Sequence, residues 1–168
     1  LTSCALVPAV GANLGTLSAG RDDEEWRKRI TTVLRDGRPA VVIDNVRTSI
    51  DAAPLAQALT APRWDDRLLG GNVSVSLPVR CVWVATGNNP MLSTEIARRS
   101  VRIRLDPKQD QPWRRDASHF RHPEIVAYAL ERRGELIAAA CTMVQAWQAA
   151  GRPRAKVAPI GSYESWSR

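Results

Sequence analysis

The chain has 168 residues, 44% of them apolar and 24% charged, with 24 Lys and Arg against 17 Asp and Glu for a net charge of +7. That length suits one domain, or one domain and a fragment of a second, and the composition excludes a disordered tail, a collagen-like repeat and a disulfide miniprotein. No apolar run approaches the roughly 18 residues needed to span a bilayer, so no membrane association is expected.

Asp22-Asp23-Glu24-Glu25 precede Trp26, Ile30, Val33 and Leu34, whose spacing of four, three and one lays them on one helical face. Acids in the first turn suit the helix dipole and Asp36-Gly37 supplies a stop, which predicts a helix over about 22–36. Pro39 leads into Ala40-Val41-Val42-Ile43-Asp44, a short β-branched run ending in an acid, which reads as a strand covered on both faces of a sheet. Asp51 is placed to cap a second helix running through Leu59, with Pro54 in its first turn. After the turn-forming Gly70-Gly71-Asn72, Val73, Val75 and Leu77 alternate with Ser74 and Ser76, which predicts a hairpin arm with one wet face. Cys81-Val82-Trp83-Val84-Ala85 reads as a second buried strand and ends in Thr86-Gly87-Asn88-Asn89-Pro90.

A short helix over about 92–99 follows, and then Val101, Ile103 and Leu105 alternate with Arg102 and Arg104 as a third strand. Residues 107–123 form a basic, polar connection. Beyond it Ile125, Val126, Ala129 and Leu130 make one helical face, and Leu136, Ile137, Ala140, Cys141, Val144 and Trp147 another, with Gly134 between them as a break or a kink. Gly151 closes the second helix and Pro153 prevents it from resuming. Trp26, Trp83 and Trp147 are expected in the core, and Trp113 is expected to pin the helical segment. Strands alternating with helices, then an all-helical tail, imply an α/β fold with a parallel-sheet core and a C-terminal helical lid.

The charge is unevenly spread. Residues 1–97 carry ten basic and ten acidic side chains, 98–133 carry ten against five, and 145–168 four against one. Such a bias favours a polyanionic partner, nucleic acid or the phosphates of a nucleotide, beside the plainer reading of a solvated basic face. Cys4, Cys81 and Cys141, odd in number and far apart, fit reduced thiols in a cytoplasmic protein. His119 and His122 lie three apart without a third ligand nearby and do not make a zinc site. A start at Leu1 rather than Met and an end at Trp166-Ser167-Arg168 read as a piece of a longer chain.

Asp44 is expected at the carboxyl end of a buried strand, where open α/β sheets collect ligands and a carboxylate can hold Mg²⁺ directly or through water. The next core strand ends in Asn88 and Asn89, placed to orient a water or contact a phosphate, and Arg98-Arg99 follow a short helix later. An acid, an amide and an arginine at one sheet edge form a phosphoryl-transfer set.

Through these segments the chain resembles the AAA+ ATPases. Val41-Val42-Ile43-Asp44-Asn45 looks like a Walker B strand, Val84-Ala85-Thr86-Gly87-Asn88-Asn89 like a sensor-1 strand, and Ala97-Arg98-Arg99-Ser100-Val101-Arg102-Ile103 like an arginine-finger region. More closely, with the acidic helix over 23–30 ahead of Asp44-Asn45, it is similar to the primase-associated, superfamily-3-like helicase/ATPase proteins of phages and integrated mobile elements. The resemblance covers about 21–168 and implies a P-loop NTPase-like core over 1–106, truncated at its N-terminus, a lid over 107–153 and the start of a further segment over 154–168.

It further implies that Asp44 coordinates the Mg²⁺ of bound ATP, that Asn88 or Asn89 is sensor 1, and that Arg98 or Arg99 reaches the nucleotide of a neighbouring subunit in a homo-oligomeric, hexameric ring. DNA and a primase would be its partners in replication. In related ring helicases the stretch before sensor 1 carries a loop facing the channel, so Arg63, Arg67 and Asn72 would touch a nucleic-acid backbone and Trp64 would stack on a base. The plainer reading has Trp64 packed on its own sheet.

Two departures stand against this pattern. Asn45 occupies a position that is commonly a catalytic Glu, and an amide orients a water without accepting its proton. No Gly-x-x-x-x-Gly-Lys-[Ser/Thr] occurs in these residues. In the resembling proteins that loop lies just upstream of Leu1, with residues 1–8 the remainder of its helix, so this fragment alone is expected to bind ATP poorly. The alternative is a non-catalytic nucleic-acid-binding or oligomerisation module that retains the sheet. A remodeller of proteins would need an aromatic pore loop, which the sequence lacks.

Overall fold

A computed structural model of the protein describes residues 2–11, 14–68, 73–154, 156, 158 and 163–164. In chain order the elements are α1 (Thr2–Val10), β1 (Thr16–Leu17), α2 (Asp23–Arg35), β2 (Ala40–Val46), β3 (Ser49–Ile50), α3 (Ala53–Ala58), β4 (Arg63–Arg67), β5 (Ser74–Pro78), β6 (Val82–Gly87), β7 (Met91–Leu92), α4 (Thr94–Ala97), α5 (Ile125–Glu131) and α6 (Arg133–Ala149). The fold is α/β, and the chain divides into two compact units, residues 3–12 with 101–153 and residues 13–100 with 154–168. Among the described residues no helix is long and apolar enough to cross a membrane.

In the unit of residues 13–100, α2 forms as its sequence dictates. The Asp22 carboxylate accepts from the Glu25 N–H at 2.8 Å, three acids occupy the first turn, and Trp26, Ile30, Val33 and Leu34 are buried. Each such side chain contributes about 1.5–3 kcal/mol through burial. Ala40 to Ile43 are buried along β2, which lies in the middle of a parallel sheet of order β1-β2-β6. A second parallel pair, β3 with β7, continues beyond the ends of β2 and β6. The hairpin β4–β5 is antiparallel, from Arg63 opposite Pro78 to Arg67 opposite Ser74. Its expected turn at Gly70-Gly71-Asn72 lies outside the described residues. One core joins Trp26, Ile30, Ile43, Leu55, Trp64 and Ile96, and the Tyr163 hydroxyl donates to the Leu59 carbonyl at its margin.

Several expectations are corrected. Asp51 does not cap α3: Ala52 stands at the cap without a side-chain bond, because the helix starts one residue later than an Asp51 cap requires. β6 is not buried on both faces, and Val82 is 59% exposed, because among the described residues β6 has a neighbour along one edge only. Residues 101–105 form no strand, and Ile103 is 80% exposed. Alternation selects which face of a strand is apolar, but a strand exists only where a partner takes its backbone bonds, and none is present there among the described residues.

In the unit of residues 3–12 and 101–153, the helices part at Arg132 rather than at Gly134, which lies in the first turn of α6. Arg132 reaches over that turn to Glu135, its Nε at 3.0 Å from the carboxylate. The Arg133 Nε donates to the Pro8 carbonyl of α1 at 2.8 Å. Gly151 ends α6 with φ +78°, a left-handed conformation suited to glycine. Trp113 is 76% exposed and pins nothing, and Trp147 lies outside any core, with its indole N–H donating to the Pro153 carbonyl at 3.0 Å.

Candidate functional site

The carboxyl ends of β2 and β6 meet in an irregular step of the ladder. Ile43 pairs with Ala85 and Val46 with Gly87, so Asp44 and Asn45 together face Thr86 alone. This is a bulge, a device that re-aims side chains at the end of a strand. Asn45 takes φ +55°, a left-handed conformation that asparagine tolerates better than most side chains do. Thr86 closes the step from the opposite strand. Its hydroxyl accepts from the Asn45 N–H at 3.0 Å and donates to Asp44 Oδ1 at 2.5 Å. Oδ2 of Asp44 accepts nothing among the described residues, and both Asp44 and Asn45 are exposed.

Gly87 follows because the strands come close here. A Cβ at Gly87 would lie 2.6 Å from the Val46 carbonyl oxygen and 3.1 Å from Pro90 Cγ. Asn88 and Asn89 follow directly, both exposed, Asn89 at φ +50°. The strand ends thus bring Asp44, Asn45, Thr86, Asn88 and Asn89 to one edge of one sheet.

Arg98 and Arg99 come from a different element. They end the turn of α4, whose N-terminus is capped by the Ser93 hydroxyl accepting from the Ile96 N–H at 3.4 Å. The two arginines differ: Arg99 folds back, its Nη1 donating to the Glu95 carbonyl at 2.8 Å, whereas Arg98 is exposed and without a partner among the described residues. The Arg99 Nε is buried without a partner among the described residues.

The expected nucleic-acid contacts separate further. Trp64 is withdrawn as a stacking residue, since its indole is fully buried against α2 and offers no face to a base. Its Nε1 donates to the Thr31 hydroxyl at 2.8 Å, and that hydroxyl donates to Asp66 Oδ2 at 2.5 Å. Arg27 completes the network, 2.8 Å from Asp66 Oδ1 and over the Trp64 ring at 5.6 Å. Burial by itself raises the Asp66 carboxyl, but the bonds from Arg27 and Thr31 outweigh it and leave the pKa below the usual carboxylate range. Arg63 is engaged across the hairpin, its Nε on the Ser76 hydroxyl at 2.9 Å and its Nη2 on the Ser76 carbonyl at 2.8 Å. The Arg67 side chain is exposed and has no partner among the described residues, and Asn72 lies outside them.

Sequence reasoning missed Thr86 as the group that holds Asp44, and Thr31 as the link between helix and hairpin. The signal for Thr86 was its place directly after the apolar run of the second strand, in register with the acid that ends the first. Among the described residues no group of three His, Cys, Asp or Glu is arranged to hold a metal ion. A single exposed carboxylate with one free oxygen nevertheless fits Mg²⁺ bound through water beside a substrate phosphate, where the ion keeps most of its hydration shell. Comparison with known proteins yields no matching family model, no matching curated protein and no matching solved structure.

Proposed function

We propose that the edge formed by Asp44, Thr86, Asn88 and Asn89 is the phosphate end of an ATPase sheet, and that the chain is part of the P-loop-like ATPase core, with its helical lid, of a ring-forming helicase-like protein. In this reading it serves DNA replication of a phage or mobile element, with ATP and Mg²⁺ as cofactors. The observation that carries it is the parallel pairing of β2 with β6, which ends an acid and an amide pair at the same edge. A bound Mg²⁺ would supply charge neutralisation at the phosphates.

The chain's own residues would then act as follows. Asp44, fixed through Oδ1 by Thr86, offers Oδ2 to a metal-bound water. Asn88 or Asn89 orients the attacking water or contacts the terminal phosphate. Of the two arginines Arg98 is the better finger toward a neighbouring subunit, since Arg99 is tied to its own turn. The phosphate-binding loop is not among these 168 residues, and the reading requires it from a longer parent protein.

The test is DNA-stimulated ATP hydrolysis by that parent. Asp44→Ala is expected to abolish turnover, and Arg98→Ala to lower it by about 10³-fold or more while nucleotide binding persists. A parent that binds DNA but hydrolyses no ATP overturns the enzyme reading in favour of a non-catalytic binding or oligomerisation module.

A further inference from the structure

The face between α2 and the hairpin holds cations that the network around Asp66 leaves unused. Two depressions adjoin there, about 490 Å³ and about 310 Å³, and both are lined by Arg27, Asp66 and Arg67. Lys28 and Arg35 line the smaller one from α2, where their spacing of seven sets them on one side of the helix. Lys28 is paired with Glu24, and Arg27 with Asp66. The Arg35 and Arg67 side chains are exposed and make no ion pair or hydrogen bond among the described residues, and both residues line the smaller depression, where Glu24 is taken up by Lys28; the exposed carboxylate of Asp65 lines the larger one beside Arg67.

The walls are fixed before any ligand arrives. The buried Trp64 indole, the Thr31 hydroxyl and the Asp66 carboxylate lock the root of the hairpin onto α2. Among the described residues no aromatic side chain lines either depression, which leaves no platform for a base there. A groove with free guanidinium groups and no stacking surface recognises phosphates and leaves bases unread.

We infer that the groove between α2 and the β4–β5 hairpin binds the phosphodiester backbone of single-stranded nucleic acid without regard to sequence, through Arg35 and Arg67. The inference rests on the DNA-dependent reading above and places the contact at the root of the hairpin, on a helix that reading does not use. The phosphate chemistry has two sources, a polymer backbone or a small free anion, and the experiment separates them.

Binding of a fluorescent oligothymidylate to the 168-residue chain is followed by anisotropy over a series of salt concentrations. Beside the wild type stand R35Q/R67Q and, as a control of equal charge change on exposed residues, R102Q/R104Q. The groove predicts that R35Q/R67Q binds about tenfold more weakly or worse, and that its log–log salt slope falls by about 1.4, two contacts at about 0.7 each on a single strand. R102Q/R104Q is expected to change less, and thermal midpoints should agree because neither pair is bonded. Inorganic pyrophosphate should act only through its ionic strength.

Wild-type affinity and slope in R35Q/R67Q overturn the groove, as does an equal loss in R102Q/R104Q or no binding by the wild type. Displacement by pyrophosphate at concentrations that leave the ionic strength unchanged assigns the groove to a small anion and overturns the backbone. The ATPase reading fails separately, on turnover that survives Asp44→Ala in the parent.

Discussion

A single hydroxyl, that of Thr86, joins two strands at the point where Asp44 leaves the sheet. Asp44 was legible in the sequence, as an acid ending an apolar run. The bulge around it was not, since it depends on register with Thr86, 42 positions further on. Asn45 is a related case: beside the resemblance it looks like the loss of a catalytic acid, yet at φ +55° an asparagine is better tolerated than most residues that carry a side chain. Gly87 is open to test at this scale. Gly87→Ala drives a Cβ into the Val46 carbonyl, which cannot yield without breaking the ladder. A loss of about 1–3 kcal/mol is expected, read as a lower denaturant midpoint at unchanged slope. An unchanged midpoint would mean that the strand ends stand further apart than described.

Helix α2 and the hairpin show what local pattern reveals about an element and what it leaves out. The spacing of Trp26, Ile30, Val33 and Leu34 disclosed the helix and its buried face almost to the residue. It left Trp64 open between stacking on a base and packing, because the deciding contact, with Thr31, comes from 33 residues away. The first turn of α2 also makes a prediction in pH. Glu25 accepts from the Arg21 backbone N–H and pairs with Arg29, which holds its carboxyl at about 2 rather than the ordinary 4.5. A carboxyl depressed in the folded state binds fewer protons there than when unfolded. Its stabilisation is therefore complete above about 4.5 and disappears as the pH falls toward 2. The melting temperatures of the wild type and Glu25→Gln, separated at pH 6, are expected to converge by pH 2, and a constant separation would exclude the pairing.

For the whole molecule, the α/β class was legible because runs such as 40–44 are too short and too β-branched to be anything but covered strands. Less legible was which apolar residues find a partner. Ile103 and its neighbours alternate as a strand does, and the residues of α6 repeat as a packed helix does, yet no residue of α6 is buried and Met143 is 74% exposed. Periodicity records the intention of a surface and not the presence of what it meets. The exposed apolar residues on α6 and over 101–105 are expected to bind a dye that fluoresces on apolar surfaces, and to produce a sedimenting mass that rises with concentration. A monomer that leaves the dye dark at every concentration would contradict that exposure.

The bulge on β2 also bears on how this sequence can change in length. Pairing on either side of it, Ile43 with Ala85 and Val46 with Gly87, needs only one residue between, and two are present. A chain one residue shorter there would keep its ladder, and with it the fold, but would present one side chain at the sheet edge instead of two. Insertions and deletions at exposed bends are ordinarily harmless. At this bend the number of residues carries meaning of its own, and any activity at the strand ends depends on that count as much as on the identity of Asp44.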